Sequence, residues 1–369
     1  MTEISDGTPR LILDLARLER NIVEMAHRVE TRHAVLRPHF KTHKSPEVLR
    51  RQLSAGATGV TVATIHEAEV AIEGGATDVL IAHPPVGRAK LDAIEALLGQ
   101  ARVIVACSEP EHVRALADIG RPVDFYWEVD SGAARLGTPP GEETAEALHS
   151  VRDLRRVRLA GVMTFPGHAY GAHDESELKA VAAEEANALR DTAQALEARG
   201  ISPGVLSAGS TPLAAHGDDV ATEYRFGNYV FNDATQVALG SATLDDCALS
   251  VEATVIGRPS SEYLILDAGS KALASERMSP NTRAFGLVRG HPELTLERLY
   301  EEHGVCRVTG NNGLAIGDRV EVVPNHACTC ANLHAFYSVH MTDGSTERWP
   351  VVARGWEHSV QTAASPVSA

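Results

Sequence analysis

The fold is decided by three short apolar runs, Val60-Thr61-Val62-Ala63, Val79-Leu80-Ile81-Ala82 and Val103-Ile104-Val105-Ala106. A segment with the apolar spacing of a helix follows each run, at residues 67–72, 89–98 and 109–117. Short buried strands that alternate with helices are typical of parallel strands joined by right-handed crossovers. The three repeats therefore predict consecutive βα units.

The same unit continues on both sides of these repeats. Further apolar runs lie at residues 34–36, 123–127, 159–163, 205–207 and 224–226. A long helical pattern at residues 175–199 follows the run at 159–163. The count comes to about eight strands, which predicts an α/β fold of the TIM (β/α)8 barrel type over residues 23–240.

The pattern changes after about residue 240, where β-branched residues alternate with polar ones. Examples are residues 249–256, 263–266 and 318–323, with turn residues between them at short intervals. Such alternation is typical of antiparallel strands with one buried face. We therefore expect a second, mostly antiparallel β domain at residues 241–361 and a disordered, small and polar tail at 362–369.

Composition excludes several classes of protein. The chain has 369 residues, 34 Lys and Arg against 49 Asp and Glu, and a formal charge of −15, so it offers no basic surface for nucleic acid. The N-terminal residues lack the pattern of a signal peptide, and no apolar run approaches the ~20 residues of a membrane helix. Five cysteines are an odd and sparse set for a secreted disulfide framework. We expect a cytoplasmic protein with no nucleic-acid or membrane partner.

Several reactive side chains follow predicted barrel strands. They are Lys41, Arg135, His168, Tyr170 and Ser210. The carboxyl ends of the strands in such a barrel meet at one rim, where active sites lie. The strand order therefore predicts that these residues share one site.

Lys41 is the candidate nucleophile and lies in the run Arg37-Pro38-His39-Phe40-Lys41-Thr42-His43-Lys44. A lysine forms an imine with an aldehyde only when part of it is deprotonated, and neighbouring cations and partial burial lower its pKa. Along an extended strand, Lys41 would share a face with His39 and His43, which would supply that crowding. A basic surface loop is the alternative interpretation.

Two neighbouring strand ends late in the barrel are rich in small and hydroxyl residues. Residues 207–212 read Ser-Ala-Gly-Ser-Thr-Pro, and residues 225–229 read Arg-Phe-Gly-Asn-Tyr. Backbone N–H groups at late strand ends are the usual phosphate site of these barrels. Either stretch alone could be a plain turn, but their position favours a phosphate site.

His326 and Cys328 are candidate metal ligands. In an extended segment their side chains would point to one face, and an imidazole with a thiolate favours zinc. Two protein ligands would leave coordination positions for substrate or water. Cys330 would lie on the same face, either as a third ligand or as a small buried residue. The alternative is a buried histidine beside a packed cysteine.

Eight motifs, in order along nearly the whole chain, resemble one enzyme family. They are residues 37–44 (RPHFKTHK), 128–137 (EVDSGAARLG), 166–170 (PGHAY), 207–212 (SAGSTP), 227–231 (GNYVF), 267–271 (DAGSK), 301–304 (EEHG) and 324–328 (PNHAC). These motifs are similar to those of the fold-type III pyridoxal-phosphate enzymes of the D-serine dehydratase and D-threonine aldolase group.

The resemblance implies the architecture and the cofactors. It implies an alanine-racemase-like barrel that binds pyridoxal 5'-phosphate, and a β domain that carries zinc and is joined by residues 1–22. It also implies a homodimer in which the β domain of one subunit approaches the barrel of the other. A small-molecule D-amino acid is then the expected substrate.

The resemblance also implies roles for individual residues. Lys41 matches the Schiff-base lysine, Arg135 an arginine near the phenolic oxygen of the cofactor, and Tyr170 a tyrosine at its pyridine ring. The matches to the phosphate cradle are Ser210, Thr211, Gly227 and Asn228, and the matches to the metal ligands are His326 and Cys328.

Cys328 indicates the reaction, because D-threonine aldolases of the group usually carry an aspartate at this position. The His-x-Cys pair instead resembles the dehydratases, which implies loss of water from a β-hydroxy D-amino acid such as D-serine, giving a 2-oxo acid and ammonia. Retro-aldol cleavage to glycine and an aldehyde, or action on 3-hydroxy-D-aspartate, is the alternative. Thr164 and Phe165 stand where many relatives have a histidine, which leaves the substrate open.

Three other functions make different demands on the chain. A racemase would need a second base on the opposite face of the substrate and no metal pair. A non-catalytic cofactor carrier would be a bare barrel without the residues after 240. A structural or interaction protein would show no cofactor absorbance.

Overall fold

The computed structural model describes residues 7–355, which form a parallel α/β barrel and a separate, mostly antiparallel sheet. The strands are β1 (Arg10–Asp14), β2 (Val35–Leu36), β3 (Val60–Val62), β4 (Asp78–Ile81), β5 (Arg102–Cys107), β6 (Val123–Val129), β7 (Val157–Thr164), β8 (Val205–Ala208), β9 (Glu223–Tyr224), β10 (Leu249–Ser260), β11 (Tyr263–Leu266), β12 (Gly286–Val288), β13 (Leu294–Leu299), β14 (Gly304–Val308), β15 (Arg319–Pro324), β16 (Phe336–His340) and β17 (Thr346–Pro350). The helices are α1 (Leu15–Glu30), α2 (Pro46–Ser54), α3 (Ile65–Glu73), α4 (Arg88–Leu97), α5 (Pro110–Ala117), α6 (Glu142–His149), α7 (Glu175–Ala198), α8 (Ala234–Ala238), α9 (Ser270–Leu273) and α10 (Ala327–Leu333). Short 3-10 turns lie at Phe40–Thr42, Gly167–Gly171, Thr211–Leu213, Asn228–Val230 and Leu244–Asp246.

Eight parallel strands form the barrel, in the order β2-β9-β8-β7-β6-β5-β4-β3. A parallel bridge between His39 and Thr61 brings the two ends of the sheet together. There the backbone N–H of Thr61 donates to the carbonyl of Pro38 at 2.9 Å. The predicted eight-stranded α/β barrel is confirmed, and each predicted strand overlaps an observed one.

Local chemistry explains where these units begin and end. Strands β5 and β6 are buried along most of their length, and their apolar side chains suit strands that are covered on both faces. The side chains of Asp14, Thr64 and Asp174 each accept a hydrogen bond from a backbone N–H in the first turn of α1, α3 and α7. Such caps satisfy backbone donors that the helix leaves free, so they fix the start of each helix.

A network of charged side chains joins Arg37, just after β2, to the first residues of β4, β5 and β9. The buried Arg37 pairs with Glu223 and with Asp78, each at 2.7 Å. Asp78 also pairs with Arg102 at 2.7 Å. Gly59 leaves room for the Arg37 guanidinium, since a Cβ at this position would collide with it. This network ties β2 to β9 and to β4 across the barrel.

The second sheet has nine strands. Its main path is β13-β14-β11-β10-β1-β16-β17, and β15 pairs with β10 and β12. Strand β1 lies between β10, to which it is antiparallel, and β16, to which it is parallel. The mostly antiparallel β domain predicted from the alternating pattern is confirmed, and the first described strand of the chain is part of it.

The two units share one continuous apolar core. Tyr337 of β16 contacts Phe231, with ring centroids 5.6 Å apart, and its hydroxyl donates to the carbonyl of His43 at 2.7 Å. The N–H of Val352 donates to the carbonyl of Lys44 at 3.0 Å. The segment that follows the first barrel strand is therefore held against the β domain.

Among the helices of residues 7–355, none has the length and apolar character needed to span a membrane. The tail predicted at 362–369 and the last residues of the predicted β domain lie outside the described residues.

Candidate active site

Lys41 lies in the helical turn that follows β2, with its backbone N–H 3.4 Å from Nδ1 of His39. Its Nζ lies 5.5 Å from the ring centroid of Phe165. Burial lowers the pKa of the Lys41 amine, and the guanidinium groups of Arg135 and Arg225 lower it further. Nearby acidic groups oppose this shift but do not reverse it. A larger share of the amine is therefore deprotonated than for an exposed lysine.

The predicted alternation of His39, Lys41 and His43 along a strand is wrong, because this segment forms a helical turn. Nδ1 of His43 accepts from the backbone N–H of Ser45 at 3.2 Å, and Nε2 donates to Oε1 of Gln52 at 3.2 Å. Burial lowers the pKa of His43 to about 3, so the ring is neutral near neutral pH. The positive charge that acts on Lys41 comes from arginines instead of histidines.

The ring of Phe165 lies close to both Lys41 and Arg135. The Arg135 guanidinium is 4.4 Å from the ring centroid of Phe165, and its Nη2 is 3.2 Å from Oε1 of the buried Glu128. A ring face attracts cations, so the packing holds both basic side chains beside one aromatic ring. Phe165 thus forms an apolar wall next to the amine of Lys41.

Tyr170 lies in the helical turn that follows β7. Burial raises the pKa of its phenol, and the nearby Cys328 and Asp233 raise it further. The phenol also faces Ser210, which acts in the opposite direction. Tyr170 is therefore a neutral hydrogen-bonding group near both Ser210 and the predicted metal ligand Cys328.

The residues predicted for the phosphate cradle lie just after β8 and β9; they are Ser210, Thr211, Gly227 and Asn228. Oγ1 of Thr211 accepts from the backbone N–H of Tyr229 at 3.2 Å. Oγ of Ser210 is buried and makes no hydrogen bond of ordinary geometry within residues 7–355, and the Tyr170 phenol lies near it. A Cβ on Gly227 would lie 2.9 Å from Cβ of His39 and 3.0 Å from Oγ1 of Thr42, so a larger residue would displace its neighbours. The cradle is tight and offers an unused hydroxyl.

His326 and Cys328 lie at the start of α10, and the extended segment predicted for them is wrong. His326 caps the helix and Cys328 is in its first turn, yet the two side chains interact directly. Burial lowers the pKa of His326, but Cys328 and Glu276 outweigh this effect and hold the pKa well above its ordinary value. Burial raises the pKa of Cys328, but His326 and Lys41 outweigh it, so the net pKa is below the ordinary value. The pair has the character of an imidazolium and a thiolate.

Cys330 does not join this pair as a third ligand. Residues two apart in a helix point about 200° from each other, and the buried Sγ of Cys330 donates to the carbonyl of Ala272 at 3.2 Å. Burial raises the pKa of the Cys330 thiol. In the described part of the chain, no group of three or more His, Cys, Asp or Glu side chains is arranged to hold a metal. His326 and Cys328 therefore offer two ligands.

Two contacts connect the predicted metal ligands His326 and Cys328 to residues of the barrel. Sγ of Cys328 lies 3.2 Å from Oγ1 of Thr42, the residue after the catalytic lysine candidate. The buried Asp233 accepts from Nδ2 of Asn228 at 2.5 Å and from the N–H of Ala327 at 2.9 Å. The lysine, the cradle and the metal pair are therefore parts of one site.

Two other basic residues near the rim have different partners. Nζ of Lys44 donates to Oδ1 of Asn332 at 2.9 Å and lies 3.4 Å from Oε1 of the buried Glu67, so it joins α10 to the barrel. His168 follows β7 as expected, but its Nε2 lies 3.2 Å from Oε2 of Glu184. The structure does not bring the His168 ring into contact with the amine of Lys41.

The sequence prediction missed Asp233, Glu276 and Glu67. The signal for Asp233 was that of a helix cap, since its side chain also accepts from the first turn of α8. In the sequence Glu67 likewise resembles an ordinary helix-start residue, because it is an acidic residue in the first turn of α3. Glu276 is one carboxylate in a polar loop and gave no pattern to detect.

Comparison with known proteins shows the family to which the chain belongs. Residues 13–234 match the alanine racemase N-terminal domain, and residues 248–340 match a serine dehydratase domain. The D-threo-3-hydroxyaspartate dehydratase of Delftia sp. (strain HT23) is 33% identical over 379 residues, which cover 96% of this chain and 99% of the dehydratase. The D-threonine aldolase of Arthrobacter sp is 34% identical over 364 residues, which cover 95% of this chain and 93% of the aldolase.

A solved structure is similar over almost the same span. The D-threo-3-hydroxyaspartate dehydratase from Delftia sp. HT23 superimposes with a TM-score of 0.87 at 31% identity, over 95% of this chain and 98% of that chain. A cysteine-to-alanine variant of such a dehydratase, described as a metal-free form, superimposes with a TM-score of 0.88 at 31% identity, over the same 95% and 98%. The chain therefore belongs to the fold-type III pyridoxal-phosphate enzymes, with an alanine racemase N-terminal domain followed by a serine dehydratase domain.

Proposed function

We propose that this protein is a pyridoxal-phosphate- and zinc-dependent lyase that removes water from β-hydroxy D-amino acids, with D-serine as the expected substrate. The observation that carries the proposal is the distance of 3.2 Å between Sγ of Cys328 and Oγ1 of Thr42, next to Lys41. An amine that moves the Cα proton and a metal that assists the leaving hydroxyl must reach the same small substrate. The contact supports such an arrangement.

The residues of the site fit pyridoxal phosphate. Ser210 offers a buried hydroxyl with no well-aligned hydrogen bond to the described residues, so it is available to a phosphate oxygen. Ser210, Thr211, Gly227 and Asn228 would hold the phosphate, and Arg135 and Tyr170 would contact the ring. Asn228 would contribute its backbone N–H, because its side-chain amide is engaged by Asp233 at 2.5 Å. When bound, the cofactor supplies an electron sink for the charge that develops at Cα.

The residues at the start of α10 fit zinc. Imidazole and thiolate are donors that zinc prefers, and the lowered pKa of Cys328 favours the thiolate form. A zinc ion on His326 and Cys328 would supply Lewis-acid chemistry at a hydroxyl oxygen, with coordination positions left for substrate.

The protein's own residues handle the proton. Nζ of Lys41 can accept a proton from Cα because burial and two neighbouring guanidinium groups lower its pKa. Phe165, 5.5 Å from Nζ, covers one side of the amine with an apolar ring and excludes water there. The raised pKa of Tyr170 keeps its phenol as a hydrogen-bond donor.

Retro-aldol cleavage is the second candidate, because the Arthrobacter D-threonine aldolase is 34% identical over 95% of this chain. Cys328 supports dehydration instead, since the aldolases of the group usually carry an aspartate at its position. 3-Hydroxy-D-aspartate is the alternative substrate, since a D-threo-3-hydroxyaspartate dehydratase is 33% identical to this chain.

The products decide between these reactions. The enzyme is incubated with D-serine, D-threonine and 3-hydroxy-D-aspartate, with and without a chelator, and 2-oxo acid, ammonia, glycine and L-amino acid are measured. We expect 2-oxo acid and ammonia from D-serine, lost on chelation and restored by zinc. Glycine with an aldehyde would contradict dehydration, and L-serine would indicate a racemase.

The cofactor absorbance tests the lysine. Lys41→Ala should abolish the imine absorbance of the purified enzyme, and Lys44→Ala should retain it, because Nζ of Lys44 is engaged by Asn332 and Glu67. Absorbance that survives Lys41→Ala and disappears in Lys44→Ala would move the assignment to Lys44.

The homodimer and the cytoplasmic location stay predictions. Sedimentation equilibrium should give twice the mass of the chain, and a monomer at micromolar concentration would contradict the dimer.

A further inference from the structure

We propose that Glu276 is a positioning residue for the metal, which holds the ring of His326 and strengthens the binding of zinc. The inference rests on the proposed function, since it requires a metal at His326. Oε2 of Glu276 accepts from Nδ1 of His326 at 2.5 Å and from Oγ1 of Thr329 at 2.8 Å. One carboxylate oxygen therefore contacts both the predicted ligand and the helix that carries Cys328.

The backbone around Glu276 is held by the residue that precedes the ligand. Nδ2 of the buried Asn325 donates to the carbonyl of Glu276 at 3.0 Å and to the carbonyl of Ala284 at 2.8 Å. The carbonyl of Asn325 in turn accepts from Oγ1 of Thr235 at 2.6 Å. The carboxylate is thus placed by buried backbone contacts and not only by its own flexible side chain.

The contact decides which ring nitrogen can bind a metal. A carboxylate on Nδ1 keeps a proton there, so a metal displaces only the proton of Nε2 and coordinates that nitrogen. It also limits rotation of the ring and raises the basicity of the ligand nitrogen. His326 is thereby prepared as an Nε2 ligand beside Cys328, with which it already interacts.

A simple stabilising ion pair would behave differently. The Glu276 side chain is 44% exposed, and exposed pairs contribute little to the free energy of unfolding. The chain offers a matched control in Glu293, whose Oε1 lies 3.0 Å from Nδ1 of His291 in the same domain. That pair, 24% and 26% exposed, is not part of the candidate site.

The test is a zinc titration of the cofactor-loaded enzyme after metal removal, in competition with a chromophoric chelator. Glu276→Gln keeps the size of the side chain but removes the charge, and Glu276→Ala removes the contact. We expect the apparent Kd for zinc to rise about 10- to 100-fold in Glu276→Ala, and at least about 10-fold in Glu276→Gln. Glu293→Gln should bind zinc like the unsubstituted enzyme. Thermal midpoints and cofactor absorbance should be unchanged in all three variants.

The outcomes separate this inference from the proposed function. Unchanged zinc affinity in both Glu276 variants, with binding still lost in His326→Ala, would overturn the positioning role and leave the metal site in place. No saturable zinc binding by the unsubstituted enzyme, or equal binding by His326→Ala, would overturn the metal site together with this inference. An equal loss of affinity in Glu293→Gln would reduce the effect to one of overall charge and also overturn the role of Glu276.

Discussion

Protonation of the buried His43 at low pH should destabilise the protein. The size of this effect measures how completely the segment after Lys41 is buried. The ring of His43 is fully buried, lies 4.8 Å from the ring of Phe40 in an edge-on arrangement, and is hydrogen-bonded at both nitrogens. Burial lowers the pKa of His43 from 6.5 to about 3. The perturbation is His43→Gln, which removes the titration and keeps a polar side chain.

The size of the effect follows from linkage. The folded pKa lies below the ordinary value, so the unfolded chain binds the extra proton first, and stability is lost as the pH falls from 6.5 to about 3. The whole shift corresponds to about 5 kcal/mol, of which about 2 kcal/mol is lost between pH ~7 and pH ~5. Above the ordinary pKa the His43 ring is neutral in both the folded and the unfolded chain, so no stability is lost to its protonation.

The assay is urea unfolding near pH ~7, ~6 and ~5 at a fixed cofactor concentration. At pH ~7, His43→Gln should be less stable than the unsubstituted protein by about 1–3 kcal/mol, because buried hydrogen bonds are lost. The difference should shrink by about 2 kcal/mol at pH ~5, because only the unsubstituted protein carries the linkage. His149→Gln, at an exposed position on α6, should follow the unsubstituted protein. Stability curves for His43→Gln that stay parallel to those of the unsubstituted protein would refute the argument.

Three further substitutions test other parts of the molecule. Arg37→Met removes the salt-bridge partner of the buried Glu223 and should lower the free energy of unfolding by about 3–5 kcal/mol. The double variant with Glu223→Gln should recover part of this loss. A loss below about 1 kcal/mol in urea unfolding would contradict the role of Arg37. Phe165→Ala removes the aromatic ring beside the amine of Lys41 and should raise kcat/KM for D-threonine relative to D-serine about 10-fold. An unchanged ratio would show that the ring does not limit the size of the substrate side chain. Cys328→Ala should abolish stoichiometric zinc while Cys330→Ala retains it, and metal analysis showing zinc loss in Cys330→Ala would restore the third-ligand interpretation.

The barrel was predictable because its strands are short and buried on both faces. A run such as that of β5 must be apolar along almost its whole length, and this leaves a clear pattern in the sequence. The helix starts were predictable for a similar reason, since a cap such as Thr64 acts within its own turn. These signals are local, and no long-range contact is needed to read them.

The conformations at Lys41 and at Cys328 were not predictable in the same way. Both were expected to be extended, because alternating spacing alone does not distinguish a strand from a short helical turn. The turn at Phe40–Thr42 and the start of α10 contact each other through Thr42 and Cys328, which are 286 residues apart. Such a contact appears only when the two domains are assembled.

The barrel, and not only the β domain, holds helix α10, which begins at the predicted metal ligands His326 and Cys328. Thr42 contacts Cys328, Lys44 donates to Asn332 at 2.9 Å, and Asp233 accepts from the N–H of Ala327 at 2.9 Å. Thr42 directly follows Lys41, and Lys44 lies three residues after it. A shift of the lysine segment would therefore also move the predicted metal ligands. If a metal binds His326 and Cys328 as proposed, its distance from the amine of Lys41 depends on the barrel contacts of α10. Substitutions at residues 42–44 should then alter metal-dependent turnover, even though none of these side chains is a predicted ligand.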